Sequence, residues 1–391
     1  MGYDEALEWL FSTQKFGIKL GLGNTLRLLE ALGNPHHAIP CFHVAGTNGK
    51  GSVCAMLDEA LRQPNHPVGL YTSPHLVDFT ERIRIDGCPA SREAVADGLT
   101  RLRELTATWS PSPTFFEFTT VLAFDIFRAA GCRTLVIETG MGGRLDATNV
   151  VDPVVSVLTP IGMDHAQWLG PTPAAIAGEK AGIIKPGRPA VSAPQIPEVT
   201  AVFELAAQSA GSPLSFVTQP WDGPLSLRGP HQRWNASLAM AAMEAACRKT
   251  QGFGAAMERV SWPGRFQIVR NKWVLDGAHN PHAAKALAAA WRESFGDTRA
   301  PVIFGCLADK DPVEILAELQ PIASTFHFVP VASERAADPH ALLNPCGTHA
   351  HIHESPHEAI RELASAPGPV LISGSLFLVG EVLEILQQGS P

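Results

Sequence analysis

The residues best equipped for chemistry begin at position 43, where the run His-Val-Ala-Gly-Thr-Asn-Gly-Lys-Gly-Ser follows a short apolar stretch. Glycines at 46, 49 and 51 would let backbone N–H groups approach phosphate oxygens. Lys50 supplies a point charge, Ser52 a hydroxyl that can reach Mg²⁺, and a helix beginning here adds its positive N-terminus. The spacing departs from the usual G-x-x-x-x-G-K-[ST] loop: Val44 stands at the first Gly, and Gly51 separates Lys50 from Ser52. A plain Gly/Asn-rich turn between strand and helix is the alternative. A lysine flanked by glycines just before a helix is uncommon in such turns, so phosphate binding is the expectation.

Further polar residues follow other short apolar runs. Glu138 ends one of them and leads into a loop carrying Arg144 and Asp146. A dinucleotide G-x-G-x-x-G is excluded, because Leu145 occupies the position of the last Gly. An unpaired buried carboxylate is costly, so Glu138 reads as a metal or catalytic group, or as the partner of Arg144. Asp164 and His165 follow the next run, and Ser73 follows another in Tyr-Thr-Ser-Pro-His-Leu. His165 alone reads equally well as a surface residue; with Glu138, Ser52 and Ser73 it makes a donor set suited to Mg²⁺.

Lys180 lies in an apolar helix beginning near Thr172-Pro173 and by itself reads as a solvated helix lysine. Asp276 to His279 close a further strand in a loop that could hold ribose or base, or cap a helix starting at Pro281. His349, His351 and His353 alternate, which on a strand puts all three on one face. A solvated strand edge is preferred there over a metal site, because no carboxylate or Cys stands nearby with ligand spacing.

Parallel sheets covered by helices are the elements that would position these residues. Apolar runs at 39–45, 68–72, 134–138 and 154–159 read as buried strands, and 273–275, 302–306, 326–331 and 370–373 repeat the pattern. Helical stretches separate them, which implies an α/β fold. A helical region near 231–250 and the segment Ser-Trp-Pro-Gly-Arg-Phe separate the two sets. The boundary is placed at Trp262-Pro263-Gly264, giving domains 1–262 and 263–391. Ligands of such sheets gather beyond the carboxyl ends of strands, where most of these motifs fall.

The 391 residues suit two domains, and 45% hydrophobic with 17% charged residues is ordinary globular composition. A net charge of −8 offers no general footprint for nucleic acid. Seven scattered cysteines without a C-x-x-C pair read as reduced thiols of a cytoplasmic protein. The apolar stretch 370–386 is broken by Gly374, Ser375 and Glu381, so a strand and helix are expected there and no membrane partner.

Taken in order, GTNGKGS, YTSPHL…FTERIRIDG, TFFEFTT, ETGMGGRLDATN, MDHAQWLGPTPAAIAGEKAGIIKPG, WPGRFQ and DGAHNPHA resemble the folylpolyglutamate synthase and dihydrofolate synthase family of Mur-type ligases. The resemblance runs over nearly the whole chain. It implies an N-terminal P-loop-type ATPase domain with a mostly parallel sheet, a smaller C-terminal Rossmann-like ligase domain, and ATP between them. It assigns ATP binding to Thr47, Asn48, Gly49, Lys50, Gly51, Ser52, Asn235, Arg265, Asp276 and His279. Two Mg²⁺ sites fall to Ser52, Ser73, Glu138 and His165, and a monovalent cation is a further candidate cofactor. Catalysis is assigned to Lys50, Glu138, His165 and Lys180, the last matching a lysine that the family carbamylates. The pterin pocket maps to Thr114, Phe115, Phe116, Glu117, Leu145, Asp146 and Ala147. The implied substrates are dihydropteroate, folate, ATP and L-glutamate, handled by a monomer. The segment 16–24 corresponds to a family loop near the pterin; Leu22-Gly23-Asn24 departs from the Leu-Glu-Arg of bacterial members.

Overall fold

The computed structural model describes residues 1–16, 21–37, 39–343 and 350–389. Positions 17–20, in the segment expected near the pterin, and His349 therefore lie outside the described residues. Backbone contacts divide the chain into two compact units. The first comprises Met1–His75, Phe79–Pro224 and Trp234–Val260; the second comprises Leu76–Asp78, Leu225–Arg233 and Ser261–Pro391. The second unit thus takes in two short earlier segments that a single cut at 262/263 leaves out.

The first unit holds an eight-stranded sheet of β1 (Cys41–Ala45), β2 (Val68–Tyr71), β3 (Ile83–Ile85), β4 (Cys88–Pro89), β5 (Thr134–Glu138), β6 (Val155–Leu158), β7 (Ala190–Ser192) and β8 (Leu214–Phe216). Their order is β4-β3-β2-β5-β1-β6-β7-β8, parallel from β2 to β8 with β3 and β4 antiparallel at one edge. Every residue of β1 and β5 is buried, which is why both read as unbroken runs instead of alternating patterns. The register sets Tyr71 beside Ile137, Val44 beside Glu138 and Ala45 beside Leu158. The carboxyl ends of β2, β5, β1 and β6 are thereby level, and the loops leaving them are neighbours.

The second unit holds β9 (Gln267–Val269), β10 (Trp273–Leu275), β11 (Ala300–Phe304), β12 (Ala323–Phe328), β13 (Ala350–Ile352) and β14 (Val370–Ser373) in the order β13-β12-β11-β14-β10-β9. Only β9 runs antiparallel to its neighbour. Val302 and Phe304 pack into one apolar cluster while Ile303 between them packs into another, so both faces of this sheet are covered. The stretch beginning at Val370 is a buried strand followed by the helix Leu376–Gln387. Among the described residues, no helix is long and apolar enough to cross a membrane.

Candidate functional site

β1 delivers the chain to Gly46, whose φ of +152° and whose missing Cβ are both required, since a Cβ would stand 1.8 Å from Thr159 Oγ1. The N–H groups of Thr47 and Asn48 donate to Pro160 O at 3.0 and 3.3 Å, tying this loop to the one after β6. Gly49 adopts φ +90° and opens the helix Lys50–Leu61, whose N-terminus has no side-chain cap. Helix N–H groups left without a side-chain cap form an anion site. A Cβ on Gly49 would lie 2.7 Å from Asn235 Oδ1, so this glycine also admits the side chain of Asn235. Lys50 Nζ donates back to Gly46 O and Thr47 O, both at 3.1 Å, which holds its charge over the loop. Ser52 is buried one turn into the helix.

Glu138 ends β5, buried, and its Oε2 accepts the N–H of Ser73 at 3.1 Å. Arg144 donates to Gly178 O at 3.0 Å and pairs with Glu179 at 3.5 Å, so its carboxylate partner is on the helix Pro173–Lys180. Asp164 Oδ1 accepts the backbone N–H of His165 at 2.9 Å, and His165 sits at φ +53° with a side chain about 38% exposed.

Lys180 corrects the sequence-only reading of a solvated lysine: it is 4% exposed, at the buried end of its helix. Burial, reinforced by the Lys50 cation and opposed by Asp164 and Asp146, draws its pKa down to about 7. Gly143 packs directly on this helix end, with a built Cβ falling 2.9 Å from Lys180 Cα. Lys50, Asp164, Asp146 and Lys180 thus share one electrostatic neighbourhood.

Asp146 is buried, accepting N–H groups from Met141 at 2.9 Å and Thr148 at 3.0 Å, while the Thr148 hydroxyl donates to it as well. The same hydroxyl meets His43 Nε2 at 2.8 Å. His43 was not singled out from the sequence, and only its place two residues before the end of the run preceding the glycine loop could have signalled it. Burial pushes its pKa down to about 3, so the ring is neutral. Ala147 is buried beside Asp146, and Leu145 is about 38% exposed.

Thr114 and Glu117 form a capping box at the start of the helix Phe115–Ala129. Thr114 Oγ1 accepts from Glu117 N at 3.3 Å and Glu117 Oε2 accepts from Thr114 N at 2.7 Å. Their polar groups hold the helix start, while the rings of Phe115 and Phe116 are half-buried. Phe116 lies against Gly140, and the Arg82 guanidinium stands 5.3 Å from the Phe115 ring centre. Arg82 is buried, within electrostatic reach of Glu138, and donates from Nε to His75 Nδ1 at 2.7 Å. It is a second residue not singled out, although it lies in the Phe-Thr-Glu-Arg-Ile-Arg-Ile-Asp-Gly segment.

In the second unit, Asp276 follows β10. Its Oδ2 accepts Phe266 N and its Oδ1 accepts Ala278 N, both at 2.9 Å. Burial raises its pKa against the pull of Arg265. His279 Nδ1 meets Gly277 O at 2.8 Å, and Asn280, not Asp276, caps the helix Pro281–Phe295. His231 is half-buried within reach of Arg265 and His282, and desolvation, followed by these two groups, lowers its pKa to about 4.

The alternating histidines differ from the sequence expectation. His351 is exposed, but His353 is buried, and carboxylates of the helix Pro356–Leu363 stand beside it, Glu362 at 3.9 Å and Glu358 at 4.0 Å. The helix folds back over the end of β13, a return that ligand spacing along the sequence did not show.

The Mur ligase, glutamate ligase domain family matches residues 264–376. A Bacillus subtilis dihydrofolate synthase/folylpolyglutamate synthase is 35% identical over 98% of this chain and 99% of its own length. The chain belongs to that family. A Lacticaseibacillus casei folylpolyglutamate synthase is 33% identical, with each chain covered in full. An Escherichia coli FolC solved in complex with DHPP and ADP superposes with a TM-score of 0.89 at 32% identity, covering 98% of both chains. The two α/β units with mostly parallel sheets are those of dihydrofolate synthase/folylpolyglutamate synthase enzymes.

Proposed function

We propose that the protein is an ATP-dependent ligase that joins L-glutamate to dihydropteroate, giving dihydrofolate, and extends tetrahydrofolate by further glutamates. The observation that carries this reading is the convergence of Lys50, Ser73, Glu138 and Lys180 beyond the level ends of β1, β2 and β5, in a chain matched along its whole length by this family.

The glycine loop fits phosphate: an uncapped helix N-terminus, two glycines whose Cβ atoms would collide with neighbours, and a lysine laid over the turn. Thr47, Asn48, Gly49, Lys50, Gly51 and Ser52 would hold the ATP phosphates, with Asn235 beside Gly49. The nucleotide roles of Arg265, Asp276 and His279 rest on the family pattern. Ser52, Ser73, Glu138 and His165 offer the oxygen-rich donor set that Mg²⁺ prefers. When bound there, the ion would offset phosphate charge. Lys180, buried and half neutral near pH 7, is chemically ready to take up CO₂: its amine attacks the carbon, loses a proton and becomes an anionic carbamate.

The substrate carboxylate attacks the γ-phosphorus, ADP leaves, and an acyl phosphate forms. The glutamate amine then attacks the acyl carbon, phosphate departs and a proton is released, leaving an amide. Lys50 counters charge on the transferred group. Phe115, Phe116, Leu145 and Ala147 would provide the apolar surface for a pterin. Thr114 and Glu117 set the helix that carries the two rings, and Asp146 sets the loop that carries Leu145. Mostly buried free thiols support a reducing, cytoplasmic setting.

The L. casei relative's name favours a second reading, folate polyglutamylation alone. Following ADP release with purified protein, Mg²⁺, glutamate and either acceptor tests the proposal. Turnover requiring both acceptor and glutamate is expected; turnover indifferent to glutamate would contradict it.

A further inference from the structure

His327 and His353 come from neighbouring strand ends of the second unit and are both more than nine-tenths buried. Parallel pairing of β12 and β13 places His327 level with the exposed His351, and His353 follows two residues later, buried. His327 Nδ1 and His353 Nε2 face each other at 2.9 Å. The other nitrogen of His327 meets the Thr325 hydroxyl at 3.1 Å, an orienting partner of the kind that fixes metal-ligating histidines. Glu362, about half exposed, closes the open side: its carboxylate lies 4.0 Å from His327 Nδ1 and 3.9 Å from His353 Nδ1. Glu358, one turn earlier on the same helix, adds a second carboxylate 4.0 Å from His353. One donor atom from each of His327, His353 and Glu362 fits within a span of 4.8 Å.

Two neutral imidazoles can satisfy each other with a single shared proton. That bond leaves unexplained why the Glu362 carboxylate is turned towards the pair without a hydrogen bond to it, whereas Glu358 Oε2 already accepts the Glu354 N–H at 2.8 Å. A cation among them would engage both imidazoles and Glu362 at once. Two imidazoles and a carboxylate match the preference of Zn²⁺ and its neighbours, whereas Mg²⁺ favours oxygen alone. Zn–N bonds of roughly 2.0–2.1 Å in a tetrahedral site need the two nitrogens roughly 3.3 Å apart, a few tenths of an ångström from their present spacing.

We propose that His327, His353 and Glu362 bind one Zn²⁺ ion in the second unit, away from the residues assigned to ATP and pterin. The carboxylate side is the entry path. Burial and the neighbouring rings of His353 and His351 lower the His327 pKa to about 4, so protons do not compete for its nitrogen at neutral pH.

The full-length protein, stripped with chelator, is titrated with Zn²⁺ alone against a chromophoric competitor, with Mg²⁺ as a parallel control. One Zn²⁺ per chain is expected, undisturbed by millimolar Mg²⁺. Glu362→Gln, on a half-exposed helix face, should weaken binding about tenfold or more. His353→Asn should abolish it, with circular dichroism confirming the fold. Absence of stoichiometric binding overturns the proposal. So does binding that both variants leave unchanged, which would put the ion on other side chains.

Discussion

Lys180 lies buried within electrostatic reach of Lys50, and burial together with that second cation brings its pKa to about 7. A lysine at its ordinary value would be almost wholly charged at neutral pH and inert towards CO₂. Replacing Lys180 by Ala should lower kcat on the order of 100-fold, and added short carboxylates should restore part of it. Steady-state kinetics with and without acetate or formate check this. Undiminished activity in the variant would refute the carbamate.

The same shift has a stability consequence. The unfolded lysine binds its proton up to about 10.4, the folded one only to about 7, so the unfolded chain holds the extra proton between these limits. In CO₂-free buffer the stability contribution of this site therefore rises with pH from about 7 to 10.4. Lys180→Met should flatten the dependence in urea unfolding; an unchanged slope would contradict the assigned burial.

Gly49 is positioned by both its φ of +90° and the nearness of Asn235. Gly49→Ala should cost about 1–3 kcal/mol of stability through backbone strain. It should also weaken nucleotide binding at least about tenfold, the factor that 1.4 kcal/mol yields. Thermal unfolding and titration with a fluorescent ATP analogue give the two readings, and normal affinity would remove the loop from the site.

Glu138→Gln keeps an acceptor for the Ser73 N–H while removing the charge. A fall in kcat on the order of 10²–10³ is expected, with a raised Mg²⁺ requirement and little change in melting temperature. A Mg²⁺ titration of activity decides it, since a merely structural role would leave that requirement unmoved.

His43 is held neutral with a pKa near 3 against about 6.5 when unfolded. Only the unfolded state takes up its proton as pH falls from about 6.5 to about 3, so stability drops with acidity by about 1.4 kcal/mol per unit across that window. His43→Gln should remove this component from urea midpoints measured at pH 7.5, 6 and 5.

Much of the fold was legible because buried parallel strands announce themselves as short apolar runs; 134–138, 273–275 and 370–373 match the strands residue for residue. Glycine spacing likewise announced the tight turn from β1 into the helix Lys50–Leu61. Lys180 stood out only through the family resemblance, since one lysine on a short helix carries no sign of which face is buried. Thr114 and Glu117 bear the Thr-x-x-Glu signature of a capping box, which the resemblance to a pterin pocket obscured. The cluster at His353 escaped because its partners come from another strand and a returning helix, and only the sheet register brings them together.

The central claim is glutamate ligation to a pterin acid, and mass analysis of products from dihydropteroate and from tetrahydrofolate, each supplied with ATP, Mg²⁺ and labelled glutamate, tests it most directly. Dihydrofolate from the first and glutamyl-extended tetrahydrofolate from the second are the predicted results. Absence of labelled amide from both would contradict the account.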